Sequence, residues 1–263
     1  MFAAPDYEIT DAHIHPSIEV DGSDFSAFNF KTPPEVLVNT LKRAGITQAA
    51  GSVIRRFKDA KPQWDEIHQL NLAALEMQRR FPDFYIPGIH VYPDHLQQSL
   101  DEVETMHKKH GVKLIGELVA YLMGYAAYNS PELNEVWALA RDLKMVVNLH
   151  LNNLEEAADI LKNFPDLKLI IAHPTGSAAE YTARLELVSR YSNAALDISG
   201  SGPNTWNMLK HGIKTAGRDK LIFGTDFPLR NPGMYVAGVC FEDISEEDRR
   251  AIFAGNFKRL LNE

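Results

Sequence analysis

The hydrophobic positions of this chain fall into two alternating patterns. Short apolar runs rich in β-branched residues are separated by longer segments in which apolar residues recur at helical spacing. The runs predict eight strands, at 8–15, 46–54, 84–92, 112–119, 144–151, 167–173, 194–199 and 220–226. One helical segment separates each predicted strand from the next.

This alternation predicts the fold. Strands that alternate with helices pair in parallel, and eight such units in 263 residues predict a closed (β/α)8 barrel, the TIM-barrel fold, as one domain over residues 1–263. An open, doubly wound sheet is the alternative. Helix-end signals support the alternation, because Pro34 begins a segment that Gly45 closes. Ser245 and Asp248 resemble a capping box near the C-terminus.

Composition and charge narrow the class of protein. Hydrophobic residues make up 45% and charged residues 24%, as in soluble globular proteins. The net charge of -8 disfavours broad contact with nucleic acid or with an anionic membrane. No apolar stretch approaches the roughly 18 residues of a membrane helix, and the N-terminus lacks a secretory-signal pattern. Cys240 is the only cysteine, so no intramolecular disulfide or cysteine-based zinc site can form. We therefore expect a cytoplasmic protein that binds neither nucleic acid nor membranes, and a homo-oligomer is left open.

Side chains that bind metals end several predicted strands. In a parallel barrel the carboxyl ends of the strands meet at one rim, where functional residues gather. The candidate metal ligands at this rim are His13, His15, Glu117, His150, His173 and Asp226. Alternate side chains of a strand share a face, so His13 and His15 are expected to point into the barrel while Ile14 points toward the helices. Two imidazoles on one short strand form a pre-arranged pair for a divalent metal.

Several segments resemble those of a known family. DAHIHP, LIIAHPTGS and LIFGTDFP are similar to the signature segments of the amidohydrolase superfamily, in its amidohydrolase-related branch. The C-terminal AIFAGNFKRLL resembles the helix that closes those barrels. These segments span nearly the whole chain. The resemblance implies a (β/α)8 barrel with a C-terminal closing helix and one or two divalent metals, commonly zinc.

The resemblance also implies roles for individual residues. His13 and His15 would bind the more buried metal, with Asp226 as a further ligand and proton acceptor. His150 and His173 match residues that bind the second metal in two-metal members. In mononuclear members, one of the two joins the first metal and the other acts as a catalytic acid or base. Where many two-metal members carry a carboxylated lysine, this chain has Glu117, which resembles the bridging glutamate of TatD-like nucleases.

Two reactions follow from this site. The first is hydrolysis of a small ester, amide or lactone, in which a metal lowers the pKa of a bound water, Asp226 is the general base and His173 stabilises the oxyanion. Glu117 favours hydrolysis, since a carboxylate there lets two metals share a bridge. The alternative is non-redox, metal-dependent decarboxylation or hydration, because the same branch includes enzymes resembling aminocarboxymuconate-semialdehyde decarboxylase. In that reaction His173 would handle protons.

Two other classes are weaker alternatives. A TatD-like nuclease has a similar ligand set, but the acidic charge balance and the GTDFP and AHPTG segments favour a small organic substrate. A non-catalytic, ligand-binding barrel is disfavoured because all six rim positions hold competent ligand types. Imidazoles and carboxylates suit zinc, manganese, iron or cobalt, so the identity of the metal stays open.

Two arginines are candidate substrate-binding residues. Arg55 follows the second predicted strand, and Arg230 follows Asp226 at the end of the eighth. A guanidinium at this rim can hold a substrate carboxylate through two parallel hydrogen bonds.

Overall fold

The computed structural model of the chain describes residues 6–18, 27–28, 30–57, 61–151 and 153–262. Within these residues, one sheet of eight parallel strands runs in sequence order. The strands are β1 (Thr10–Ile14), β2 (Gln48–Ser52), β3 (Tyr85–Ile89), β4 (Leu114–Leu118), β5 (Val146–Leu149), β6 (Lys168–Ile171), β7 (Ala194–Asp197) and β8 (Leu221–Ile222). Each lies inside a predicted range, so the eight predicted strands are confirmed.

Backbone contacts between the last and first strands close the sheet. Ala12 N–H donates to Phe223 O at 2.9 Å, and Asp226 N–H donates to His13 O at 2.8 Å. Ile14 and a residue beyond β8 form a further parallel bridge. The sheet is therefore a (β/α)8 barrel, as predicted, rather than an open doubly wound sheet.

Helices connect consecutive strands on the outside of the barrel. They are α1 (Pro34–Arg43), α2 (Trp64–Arg80), α3 (Leu96–His110), α4 (Ala120–Met123), α5 (Pro131–Asp142), α6 (Leu154–Asn163), α7 (Ala178–Arg190), α8 (Met208–Ala216), α9 (Pro232–Phe241), α10 (Glu246–Arg250) and α11 (Asn256–Leu261). The capping box at Ser245 is present, with Asp248 as its reciprocal partner. No helix in the described parts of the chain is long and apolar enough to cross a membrane.

Apolar side chains fill two layers. The larger one lies between the strands and the surrounding helices and includes Ile14 and Leu37. The smaller one fills the inside of the barrel with one side chain from each strand, together with three from α11: Ala12, Ala50, Ile86, Leu114, Val146, Ile170, Ala195, Ile222, Phe257, Leu260 and Leu261. The C-terminal helix thus closes one end of the barrel and leaves the carboxyl ends of the strands for the site.

Candidate metal centre

Two strands slip in register where they carry candidate ligands. From Asp11 to Ile14, β1 advances three residues while β2 advances two, and from Ile115 to Leu118, β4 advances three residues while β5 advances two. An extra residue of this kind redirects the following side chains. Ala12 therefore lies in the inner apolar layer and the adjacent His13 lies at the rim, whereas Ile14 packs in the outer layer as predicted. The slip in β4 spans Glu117, which likewise lies at the rim.

Four of the six candidate ligands converge on one point. The Nε2 atoms of His13 and His15 are 3.2 Å apart. Oε2 of Glu117 lies 3.3 Å from the first and 3.2 Å from the second. Oδ1 of Asp226 lies 3.6 Å from His15 Nε2 and 3.9 Å from His13 Nε2. Nitrogen and carboxylate lone pairs brought this close form a donor set suited to a divalent cation.

The other oxygen of Glu117 faces the remaining two candidates. Oε1 lies 3.0 Å from His150 Nδ1 and 3.2 Å from His173 Nε2. Glu117 therefore stands between two pairs of histidines, and each pair contacts a different carboxylate oxygen. The structure brings all six candidate ligands into one cluster.

Contacts behind the imidazoles set their orientation. Asp197 Oδ2 lies 2.9 Å from His13 Nδ1, and Ser52 O lies 3.1 Å from His15 Nδ1. Since a carbonyl can only accept, His15 carries its hydrogen on Nδ1 and turns the Nε2 lone pair toward the cluster. Ser199 Oγ contacts His173 Nδ1 at 2.9 Å and also hydrogen-bonds to Asp197. Such supporting hydrogen bonds hold metal-binding histidines in place.

Burial and neighbouring charges act in opposite directions on the pKa values of the ionisable groups in the cluster. Burial opposes ionisation of Glu117, but the neighbouring imidazoles, above all His13, hold its pKa well below the ordinary value. Burial likewise disfavours the charged form of His13, yet Glu117 and Asp197 raise its pKa well above normal. For Asp226 burial dominates, and its pKa is raised despite the imidazoles nearby. A cation at this point would favour the unprotonated forms of all these groups.

Sequence reasoning did not single out several residues that support the cluster. Asp197 and Ser199 come directly after the apolar residues of β7. Their position at the end of a strand is the sequence signal that could have identified them. Asp11 is fully buried and ties β1 to the chain after β8 by accepting from Thr225 N–H at 2.9 Å and from Thr225 Oγ1 at 2.5 Å. Burial raises the pKa of Asp11 to about 7.

His90, the residue after β3, was also not singled out. Its Nε2 donates to Val53 O at 2.9 Å, one carbonyl beyond the Ser52 O that holds His15. The amide of buried Asn71 binds both backbone groups of His90, at 2.7 Å and 3.0 Å. Burial lowers the pKa of His90 to about 4, so the ring packs behind His15 as a neutral imidazole.

A cavity of about 840 Å³ opens beside the cluster rather than over its centre. It lies between the segments that follow β6, β7 and β8. A Cβ on Gly200 would sit 2.4 Å from His173 Nδ1, so the cavity wall touches this imidazole directly. The side chains of His150 and His173 are 23% and 14% exposed, against 1% for His13, so the cluster is open to solvent on the His150 and His173 side.

The two candidate substrate-binding arginines lie in different surroundings. Arg230 lines the cavity, and its Nε donates to Gly200 O at 2.8 Å. Arg55 pairs with Glu66 at 3.3 Å and lies over the ring of Phe57. Among the contacts of the described residues, none joins Arg55 to the cluster.

Known proteins resemble this chain in sequence pattern and in fold. A family model described as amidohydrolase matches residues 10–262. No curated protein sequence matches the chain. Among solved structures, a 2,6-dihydroxybenzoate decarboxylase bound to 2,6-dihydroxybenzoate superposes with a TM-score of 0.78 at 16% identity, over 98% of this chain and 100% of that one.

Two further structures show the same likeness. A dihydroxybenzoic acid decarboxylase from Polaromonas sp. JS666, with bound manganese and 2-nitroresorcinol, has a TM-score of 0.67 at 16% identity and covers 97% of each chain. A 5-carboxyvanillate decarboxylase from Sphingomonas paucimobilis has a TM-score of 0.71 at 11% identity, over 98% of this chain and 99% of that one. At these identities the likeness shows a shared fold.

Proposed function

The chain belongs to the amidohydrolase family, and from that premise we propose that it is a metal-dependent, non-redox decarboxylase of a hydroxylated aromatic acid. One observation carries the proposal. The decarboxylases of 2,6-dihydroxybenzoate and 5-carboxyvanillate superpose on at least 97% of this chain, which supports the same type of reaction at this rim. This reverses the order of the two reactions expected from the sequence.

The donor set of the rim fits a divalent metal. His13, His15, Glu117 and Asp226 would hold it, since their nitrogen and oxygen atoms already converge. Bound there, the metal would act as a Lewis acid that polarises a substrate oxygen. Zinc was the first expectation, whereas the Polaromonas relative holds manganese. Both metals suit imidazole and carboxylate ligands.

We assign to His173 the role of the acid that donates a proton to the substrate. Decarboxylation of an aromatic acid adds a proton to the ring carbon that bears the carboxylate. The carbon–carbon bond then breaks, carbon dioxide leaves, and the bonding electron pair restores the ring. Burial disfavours a charged His173, but Glu117 raises its pKa, and both ring nitrogens face acceptors, Glu117 Oε1 and Ser199 Oγ. With both ring nitrogens placed against acceptors, His173 is positioned to hold a proton and donate it as a general acid.

Arg230 would orient the anionic substrate. Its Nε–H group binds the carbonyl of Gly200, the residue that packs against His173, and Arg230 lines the cavity. Its other N–H groups can bind a carboxylate. For Arg55 we propose no contact with substrate, because it pairs with Glu66.

Hydrolysis is the second candidate function, and Glu117 favours it. Its two oxygens face separate pairs of histidines, at 3.0 to 3.3 Å. A carboxylate between two sets of ligands suits a bridge between two metals, an arrangement common in hydrolytic two-metal sites. In that case Asp226 would act as the general base on a small ester, amide or lactone.

A single reaction panel separates the two functions. Protein stripped with chelator and reloaded with manganese is incubated with hydroxybenzoates labelled with ¹³C in the carboxyl group, and with a set of esters, amides and lactones. We expect labelled carbon dioxide and the matching phenol from a hydroxybenzoate, and loss of both products after chelation or in His173→Asn. His110→Asn, which changes an exposed histidine of α3, should retain activity. Hydrolysis of the second set without release of carbon dioxide would overturn the main proposal in favour of the second.

A further inference from the structure

The cavity beside His173 is larger than a single-ring acid requires. Its volume of about 840 Å³ falls in the upper part of the roughly 300–1,000 Å³ range of pockets that enclose drug-sized ligands. A hydroxybenzoate is one ring with small polar groups. It would reach the cluster and leave most of the cavity empty.

Several large apolar and aromatic side chains line the cavity. Trp206 and Met234 line it although they are 64% and 68% exposed. Tyr181, Met208 and Tyr235 also line the cavity, together with polar side chains that include Asn204 and His211. Large apolar side chains that face a concave solvent space favour an apolar occupant, because its binding removes their surface from water.

The walls are fixed in place. Tyr181 Oη donates to Met208 O at 3.2 Å, and Tyr235 Oη donates to Gly200 O at 2.5 Å. A Cβ on Gly202 would sit 2.5 Å from Met208 Cε, so the chain after β7 packs directly against α8. Hydroxyl groups that are already bonded within the wall leave the tyrosine rings to shape a preformed cavity.

The cavity adjoins the cluster at Gly200. Gly200 lines the cavity and packs closely against the His173 ring, and Arg230 and Trp206 belong to the same lining. A substrate whose carboxylate lies beside His173 and Arg230 would therefore extend toward the aromatic lining.

We propose that this cavity is a subsite for an apolar aromatic extension, so that the substrate is a hydroxylated aromatic acid with a second ring. The inference rests on the proposed function for the chemistry of the first ring. The second ring is recognised by Trp206, Met234 and the tyrosine walls, whatever bond the enzyme breaks.

Two probes that differ only in the second ring test the subsite. The affinities of 2-hydroxybenzoate and 2-hydroxy-4-phenylbenzoate for the manganese-loaded protein are measured by isothermal titration calorimetry. Burial of a ring predicts about 10- to 100-fold tighter binding of the phenyl derivative. Equal affinities, or no binding of either probe, would overturn the subsite. Binding with this preference but without release of carbon dioxide would overturn the proposed function alone.

Variants locate the second ring. Gly176 lines the cavity, and a Cβ there would meet nothing within 4 Å, so Gly176→Trp should fold and fill the space. We expect it to abolish the preference while 2-hydroxybenzoate binds within about twofold of wild type. Ala179→Trp, at a neighbouring exposed position of α7 outside the lining, is the matched control and should keep the preference.

A second variant guards against misfolding of the first. Trp206→Ala removes an exposed side chain and should lower the preference severalfold, with an unchanged circular dichroism spectrum. A full preference in both Gly176→Trp and Trp206→Ala would show that the second ring binds elsewhere.

Discussion

The same eight strands build the two ends of the barrel interior, and the two ends have opposite chemistry. Near the closing helix, each strand contributes an apolar side chain to the layer that Phe257 and Leu261 complete. A few residues further along, the same strands or the residues just after them present Ser52, His90, Asp197, Ser199 and the six candidate ligands. Ala12 and His13 are adjacent in sequence, and β1 slips in register between Asp11 and Ile14, the stretch that contains both. Positions only a few residues apart on the same strand therefore have different roles: one stabilises the fold and the next belongs to the candidate metal centre.

The physical costs of the two ends also differ. Apolar side chains at the closed end gain free energy by leaving water. Buried ionisable groups at the rim lose hydration, and only their mutual contacts offset that loss. Substitutions at the closed end should therefore change stability, and substitutions at the rim should change metal binding.

The largest effect is expected from removal of the histidine pair. His13→Ala/His15→Ala deletes two of four convergent donors, and we expect metal affinity to fall by at least about 1,000-fold. Titration with manganese of the chelated protein measures it, and His110→Ala is the matched control. Wild-type affinity in the double variant would show that the metal binds elsewhere.

The closed end should give the converse result. Phe257→Ala removes a fully buried ring from the inner layer, and we expect the free energy of unfolding to fall by about 3–5 kcal/mol. Chemical denaturation measures it, and Phe241→Ala, at a side chain 70% exposed, should cost about 1 kcal/mol or less. Metal affinity of the folded Phe257→Ala protein should be unchanged. A change of tenfold or more would show that the two ends are coupled.

His90 should make the stability of the metal-free protein depend on pH. Burial lowers its pKa from 6.5 to about 4, so between these values the unfolded chain binds the extra proton. Stability from this group is complete above about pH 6.5 and is lost as the pH falls toward 4, by up to about 3 kcal/mol. Denaturation of chelated protein across this range, compared with His90→Gln, measures the difference. Identical pH profiles would mean that His90 titrates normally.

The smallest of these effects is expected from Asp197. Asp197→Asn keeps the shape of the residue but removes the charge beside His13 Nδ1, and we expect about 10- to 100-fold weaker metal binding. Asp219→Asn, at an exposed position, is the matched control. An unchanged affinity would show that Asp197 does not support the His13 ligand.

The sequence predicted the barrel because each strand has a distinct apolar run. It also predicted that His13, Glu117 and Asp226 would meet, since the ends of parallel strands share one rim. It did not predict Asp197 as the partner of His13, because the two lie 184 residues apart and only the closed barrel brings them together.

Features that depend on packing in three dimensions were likewise not predictable. The register slips in β1 and β4 follow from no residue pattern that distinguishes them from regular strands. The cavity is formed by segments after three different strands, so the sequence alone did not indicate that Trp206 and Met234 line one cavity. The sequence made Arg55 and Arg230 equal candidates for substrate binding, and only the structure shows that Arg55 pairs with Glu66.

Metal content tests the central claim most directly. Chelated protein is dialysed against manganese or zinc, freed of excess metal, and measured by inductively coupled plasma mass spectrometry. We expect at least one tightly bound metal per wild-type chain and none in His13→Ala/His15→Ala, and a second metal would support the Glu117 bridge. Wild-type protein that retains no metal after either treatment would contradict the assignment of this rim as a metal centre.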